Sequence, residues 1–174
     1  HENTFDTQDE SDPVIEDLEV SLSALREELH VRAENSGSIV GPVVFGDDGD
    51  RVDCTRLGKG GYSVPSIVEP EYLEIRRCTA DFLLLVEKGT QWNRLSEDKF
   101  WRRYNCVLLT GNGQPPRGVR RLARRLHEEH KLPVYILVDN DPWGYYIYSV
   151  VKQGSINLAF ESQRMAIPKA KFIG

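Results

Sequence analysis

Two aspartates, Asp139 and Asp141, close a run of strand-forming apolar residues in "VYILVDNDPWGYY" (134–146), and Glu87 closes a second such run in "DFLLLVE" (81–87). Carboxylate oxygens suit hard cations, and Mg2+ in particular binds through one or two protein carboxylates, several waters and substrate phosphate oxygens. Three ionised carboxylates converging on a partly desolvated rim repel one another unless a cation compensates. The pattern therefore points to a Mg2+ site at Glu87, Asp139 and Asp141 that would in turn hold a phosphate. Taken singly, each aspartate has a plainer use, Asp139 as a helix N-cap and Asp141 as a negative charge near that helix's positive end.

The elements around them bring the three together. "DFLLLVE", "CVLLT" (106–110) and "VYILV" (134–138) read as buried strands. They alternate with helices expected over 93–104, 116–130 and 142–152. Near-continuous apolar strands separated by helices imply right-handed crossovers and a parallel sheet covered on both faces. Ligands collect at the carboxyl ends of such strands, where Glu87 and the two aspartates lie. "SINLAFES" (155–162) adds a further candidate strand.

Upstream, "HENTFDTQDES" reads as an acidic arm. Asp12 as N-cap and Pro13 at the first helical position open an amphipathic helix over 13–30, with Ile15, Leu18, Leu22, Leu25 and Leu29 on one stripe. Residues 39–54 have two β-prone segments around a Gly/Asp turn and predict a hairpin. "LGKGGYSVPS" (57–66) reads as a loop.

Other residues fit phosphate chemistry. "TGNGQPP" (110–116) has glycines that permit close backbone approach and leads into a helix N-terminus. On that helix Val119, Leu122, Ala123 and Leu126 form the apolar face, which leaves Arg117, Arg120, Arg121, Arg124 and Arg125 outward. Their ordinary role is a solvated face, with DNA backbone contact by Lys88, Arg117, Arg120, Arg121 and Arg124 as the functional alternative. Trp92, Trp101 and Trp143 read as packing residues. "HEEH" (127–130) spaces its histidines by three rather than four, which fails the zinc-protease pattern.

The composition is that of a soluble globular protein, with 40% hydrophobic and 28% charged residues among 174. No apolar run approaches the ~20 residues of a membrane span, so an intracellular chain without membrane contact is expected. The absence of an initiator Met before His1 reads as an excised fragment. Cys54, Cys78 and Cys106 form no CxxC pair and read as reduced thiols. The net charge of −5 excludes a wholly basic nucleic-acid surface and confines any phosphate contact to a local patch or a bound metal.

"LLLVEKG", "LLTGNGQPPRGVRRLARRL", "LPVYILVDNDPWGYYIYSVVKQGS" and "AIPKAKFIG" resemble the A subunit of archaeal type IIB topoisomerases, a family related to the meiotic double-strand-break protein. "ESDPVIEDLEV" and "LGKGGYSVPS" extend the likeness over nearly the whole chain. The resemblance implies an α/β fold: a Rossmann-like Toprim domain with a central parallel sheet flanked by helices, plus an N-terminal helix and β-hairpin extension. Its expected limits are 1–12 for the acidic linker, 13–80 for the extension and 81–174 for the Toprim core. It implies Mg2+ bound by Glu87 and the Asp139/Asp141 pair. It also implies a homodimer of A subunits around duplex DNA, an ATP-binding B subunit, and a cytoplasmic, nucleoid-associated enzyme.

One departure bears on activity. In the family the nucleophilic tyrosine lies in a winged-helix domain upstream of a sequence like "ESDPVIEDLEV". None of Tyr62, Tyr72, Tyr104, Tyr135, Tyr145, Tyr146 and Tyr148 occupies that motif. This chain alone is expected to bind metal without cleaving DNA. Two other readings compete: a non-catalytic DNA-binding or dimerisation module whose carboxylates cap helices, and a metal-dependent phosphatase using the DxD pair, whose late position and flanking residues fit poorly.

Overall fold

The computed structural model describes residues 4, 7–24, 28–31, 33–154 and 164–174. They fall into two compact units, 1–33 and 34–174.

The first unit holds α1, Gln8–Leu22. It begins five residues before the expected start, so Pro13 lies inside the helix and Thr7 is the N-cap. Acidic residues in the first turns are favourable near the helix's positive end, which offsets the backbone hydrogen bond that Pro13 lacks. The helix closes at Ser23, whose left-handed backbone (φ 51) ends it well before residue 30. Val14, Leu18, Val20 and Leu22 are exposed. The expected stripe residue Leu25 lies outside the described residues.

The second unit is mixed α/β. Its larger sheet has the order β4–β1–β7–β6–β8–β9. The strands are β1 (Ser38–Val40), β4 (Tyr62–Ser63), β6 (Phe82–Val86), β7 (Cys106–Thr110), β8 (Val134–Leu137) and β9 (Lys171–Ile173). β7, β6, β8 and β9 run parallel, and β1 pairs antiparallel with both β7 and β4. β6 alternates between two faces. Leu83 and Leu85 join Val119, Leu122 and Leu126 of α4 (Arg117–His130) and Ile147 and Val151 of α5 (Pro142–Gln153). Leu84 and Val86 meet Trp92, Leu95 and Phe100 on the other side. The parallel sheet flanked by helices expected from the sequence is thus the observed fold. The candidate strand at 155–162 lies outside the described residues.

The expected helix over 93–104 is two: α2 (Gly89–Glu97) and α3 (Phe100–Arg103), separated where Lys99 turns left-handed (φ 51). After that turn Phe100 and Trp101 pack with Trp92 and Leu95 against Leu84, Val86 and Leu108.

The smaller sheet, β3–β2–β5, contains the expected hairpin as β2 (Val43–Asp47) and β3 (Asp50–Asp53). Asp48 (φ 47) and Gly49 (φ 87) make the two-residue turn with positive φ that matches strand twist. β5 (Leu73–Cys78) was not legible as a strand. Its partners skip from Ile75 to Arg77, so a bulge at Arg76 interrupts the period of two. The loop expected at 57–66 supplies β4. Cys54, Cys78 and Cys106 are free thiols, and burial pushes Cys54 and Cys106 up to about 12.

Candidate metal and nucleic-acid site

Strand register brings the acidic residues to one edge. Val86, the last residue of β6, lies beside Thr110 of β7 and Leu137 of β8, so all three chains leave the sheet at the same level. The Glu87 N–H donates to the Leu137 carbonyl at 2.9 Å, extending the pairing by one residue. The Asp139 N–H then donates to Glu87 Oε2 at 3.2 Å. Residues 52 apart in the chain are joined by this one hydrogen bond.

Asp139 is also fixed from its carbonyl side. A β-carbon on Gly144 would stand 1.9 Å from the Asp139 carbonyl oxygen, a distance only glycine permits. Asp141, with extended backbone, is the N-cap of α5 and accepts from the Gly144 N–H at 2.7 Å, with Pro142 beginning the helix. The cap is therefore Asp141 rather than Asp139: only the residue immediately before Pro142 can reach the N–H groups of the first turn.

The Asp139 carboxylate is paired with the Lys88 ammonium, through Oδ2. The hydrogen bond and charge of Asp139, then the charges of Glu87 and Asp141, hold Lys88 above its ordinary value despite slight desolvation. The two side chains keep 48% and 39% of their surfaces exposed. Among the described residues no three His, Cys, Asp or Glu side chains converge closely enough to hold an ion. The structure thus brings Glu87 and Asp139 together, while Asp141 is turned into α5 and a lysine occupies Asp139.

The loop after β7 does approach this rim. The Gly113 N–H donates to the Glu87 carbonyl at 2.8 Å, and Asn112 packs so tightly on Gly89 that a β-carbon there would lie 2.4 Å from Asn112 Oδ1. Asn112 and Gly144 are the positioning residues that sequence reasoning did not single out. One lies in the glycine loop after β7 and the other just beyond the DxD pair, but nothing in their spacing indicated the contact.

The outward arginine face is not observed. Arg120 and Arg125 are 4% and 3% exposed. Arg125 donates to the carbonyls of Val68 and Leu73 at 2.5 and 2.6 Å and pairs with Glu129. Arg121 forms a two-pronged pair with Glu69 at 2.8 and 2.9 Å and donates to the Arg164 carbonyl, while Arg124 reaches the Ala166 carbonyl and Glu128. These guanidinium groups fasten the 68–73 and 164–166 segments to α4. Arg117 is half-buried at the start of α4.

The tryptophans divide. Trp92 is buried and Trp101 packs against the second core cluster, whereas Trp143 is 56% exposed and stacks on Tyr146 with ring centroids 5.1 Å apart. Trp143, in the first turn of α5, is therefore not a core packing residue.

Residues 82–174 match the family profile for the Toprim domain of Spo11 and of the topoisomerase 6 A subunit. Residues 33–79 match the all-beta domain in DNA topoisomerase VI alpha subunit, and residues 1–31 match type IIB DNA topoisomerase. The chain is 47% identical over 173 residues to the A subunit of type 2 DNA topoisomerase 6 from Pyrococcus abyssi, covering 99% of this chain and 45% of that protein. It is 47% identical to the corresponding subunit of Aeropyrum pernix, over 99% of this chain and 44% of that one. It is 43% identical to the A3 subunit of DNA topoisomerase 6 from Oryza sativa subsp. indica, over 98% and 38%. The chain spans less than half the length of these relatives.

Proposed function

Since this chain belongs to the family of Spo11 and the topoisomerase 6 A subunit, we propose that residues 81–174 are the Mg2+-binding Toprim region of the DNA-cleaving subunit of an ATP-dependent type IIB topoisomerase. Glu87, Asp139 and Asp141 are the ion's ligands in this reading. The observation that carries it is the meeting of Glu87 and Asp139 at adjacent parallel strand ends, with a cation already drawn to Asp139. An ammonium marks the place where positive charge is favourable, and hard carboxylate oxygens match Mg2+ in kind. The bound ion would orient a backbone phosphate and offset the negative charge that develops on it.

The division of the chain follows the same reading, with an extension over 13–80 and the Toprim core over 81–174; the expected linker over 1–12 does not stand apart, because α1 already begins at Gln8. The partners we assign are duplex DNA, a homodimeric second copy and an ATP-binding B subunit, in a cytoplasmic, nucleoid-associated enzyme that cleaves both strands, passes a duplex and reseals. Lys88 and Arg117 are the basic residues we retain as DNA contacts. Arg121 and Arg124 are assigned to holding segments on α4, given their partners, and Arg120 is set aside because it is buried.

Metal binding by this chain is tested by counting bound Mn2+ through the loss of its free-ion electron paramagnetic resonance signal. The wild-type chain is expected to bind it saturably and Glu87→Gln and Asp139→Asn to lose it. Asp141→Asn should weaken it while preserving the cap, since Asn caps as well as Asp. Unchanged binding in Glu87→Gln and Asp139→Asn would overturn the reading. Incubated with Mg2+ and duplex DNA, the 174-residue chain should give no covalent DNA adduct on a denaturing gel, since none of its tyrosines occupies the family's nucleophile motif.

A second reading, a binding module without a metal, is favoured by the Asp141 cap. The same titration separates the two.

A further inference from the structure

We propose that Lys88 is the resident counter-cation of the acidic rim: its ammonium neutralises Asp139 while no divalent ion is bound and leaves Asp139 when one binds. This rests on the metal reading above and adds to it a residue that positions the site from within and competes with the ion for the same carboxylate.

Three features of the rim lead there. First, the main chain of Asp139 is held on both sides. Its N–H is held by Glu87 Oε2 at 3.2 Å, and its carbonyl lies where Gly144 would otherwise carry a β-carbon, 1.9 Å away. The Asp139 side chain, by contrast, is 39% exposed and can change partner. Second, the side chain paired to the Asp139 carboxylate is a cation from the neighbouring strand end, in the residue that directly follows Glu87. An ammonium and a divalent ion cannot both take Oδ2 at close range, because like charges at such separations repel and the carboxylate oxygen has a limited number of acceptor directions.

Third, Lys88 is built so that its head can move while its base does not. Its backbone is extended (φ −81, ψ 120) at the N-cap position of α2, and its carbonyl accepts from the Trp92 N–H at 3.0 Å. Trp92 is buried in the second core cluster, so the Lys88 main chain is anchored to the core. The ammonium sits on a four-carbon stem and keeps 48% of its side-chain surface exposed, so swinging away costs little desolvation. Arginine at this place would keep the charge, whereas a neutral side chain of similar length would leave Asp139 unpaired and more attractive to an ion.

The consequence is an exchange of cations with no net loss of compensation on Asp139. In the ion-free protein Lys88 keeps the rim from being a bare cluster of negative charge. After loading, its ammonium remains within reach of the rim and becomes available to an anionic ligand such as a backbone phosphate. Ion loading and the freeing of a phosphate-binding group are then one event.

The test uses the intact 174-residue chain and Mn2+ alone, by the same free-ion signal. Lys88→Met is expected to bind Mn2+ about two- to fivefold more tightly than wild type, the factor corresponding to an exposed ion pair that no longer has to be broken. Lys88→Arg should stay close to wild type in both binding and thermal midpoint, and the midpoint of Lys88→Met should fall by no more than the few degrees that an exposed ion pair is worth. In 13C-lysine-labelled protein, the Lys88 Cε resonance, identified by its loss in Lys88→Arg, should shift as Mg2+ is added, with the midpoint of ion binding, and should stay still in Asp139→Asn. Equal or weaker Mn2+ binding by Lys88→Met, or a Lys88 resonance unmoved by a saturating ion, overturns the inference while Glu87→Gln and Asp139→Asn still report on the metal site itself. If those two variants bind Mn2+ like the wild type, the metal reading fails and the inference fails with it.

Discussion

Replacing Gly144 by alanine should damage the acidic rim more than any loss of a single carboxylate damages the fold. Gly144 is the third residue of α5 and has ordinary helical backbone, so on propensity alone alanine would stabilise it by roughly 1 kcal/mol. Geometry opposes this. The new β-carbon would stand 1.9 Å from the Asp139 carbonyl oxygen and 3.0 Å from its carbonyl carbon. Carbon and oxygen meet comfortably at about 3.3 Å, so the two backbones must part by about 1.4 Å. Both partners are main chain, so no rotamer change relieves the contact, and insertions of this kind cost about 1–3 kcal/mol or more. The clash therefore outweighs the propensity gain. At ~2–4 °C per kcal/mol for a chain of this size, a fall in Tm of several degrees follows. The same displacement carries the Asp139 N–H away from Glu87 Oε2, now 3.2 Å away, so Mn2+ affinity should drop at least tenfold. Calorimetry and the Mn2+ titration together check this, with Gly60→Ala as control, since nothing lies within 4 Å of the β-carbon there. A Gly144→Ala protein with unchanged Tm and unchanged Mn2+ binding would refute the account of how the rim is held.

Two further outcomes follow from the polar staples on α4. Arg125→Met should cost about 2–4 kcal/mol in urea unfolding, because the carbonyls of Val68 and Leu73 lose a buried donor and Glu129 loses its cation, while duplex affinity measured by anisotropy should not change. A loss of DNA binding with undiminished stability would restore the outward-face reading. For Glu69, burial pushes the carboxyl up, but the hydrogen bond and charge of Arg121, with Arg164 and Arg125 behind it, prevail and hold it below its ordinary 4.5. A folded-state value below the unfolded one gives stability that is complete above about pH 4.5 and is lost as pH falls through the lowered value. Glu69→Gln should therefore be less stable than wild type at neutral pH, with the difference closing in acid. A difference that stays constant down to pH 2 would contradict the assigned cause.

The parts of this fold that could be read from sequence are those decided by burial. Continuous apolar runs such as "FLLLV" and "CVLLT" are buried on both faces and became the parallel centre, and their common register made the meeting of Glu87 with Asp139 foreseeable. What escaped was decided by polar groups whose partners lie far along the chain. The arginines of α4 have the spacing of a solvated face, yet Val68, Leu73 and Ala166 supply carbonyls that draw them inward, and no local pattern announces those carbonyls. β5 escaped because one extra residue at Arg76 destroys the alternation that marks a strand. The start of α1 was misplaced because Asp12-Pro13 resembles an N-cap followed by a first-turn proline, whereas the helix begins at Gln8 and carries Pro13 inside it.

The capping and metal readings of the DxD pair stand as alternatives in the sequence, and the geometry shows why they need not exclude each other. Each of the three carboxylates gives one oxygen to a local partner. Glu87 Oε2 goes to the Asp139 N–H, Asp141 Oδ1 to the Gly144 N–H, and Asp139 Oδ2 to the Lys88 ammonium. An ionised carboxylate has two oxygens and about four acceptor directions, so one such bond leaves capacity for another. Two of the three bonds are to main-chain N–H groups that an added ion need not displace, and they fix the side chains that would meet it. Only the third partner is itself a cation, and a cation is what a divalent ion must displace. In the metal reading proposed above, the cap at Asp141 and the tether at Glu87 would be the supports of the site, and Lys88 the group that stands in the ion's place.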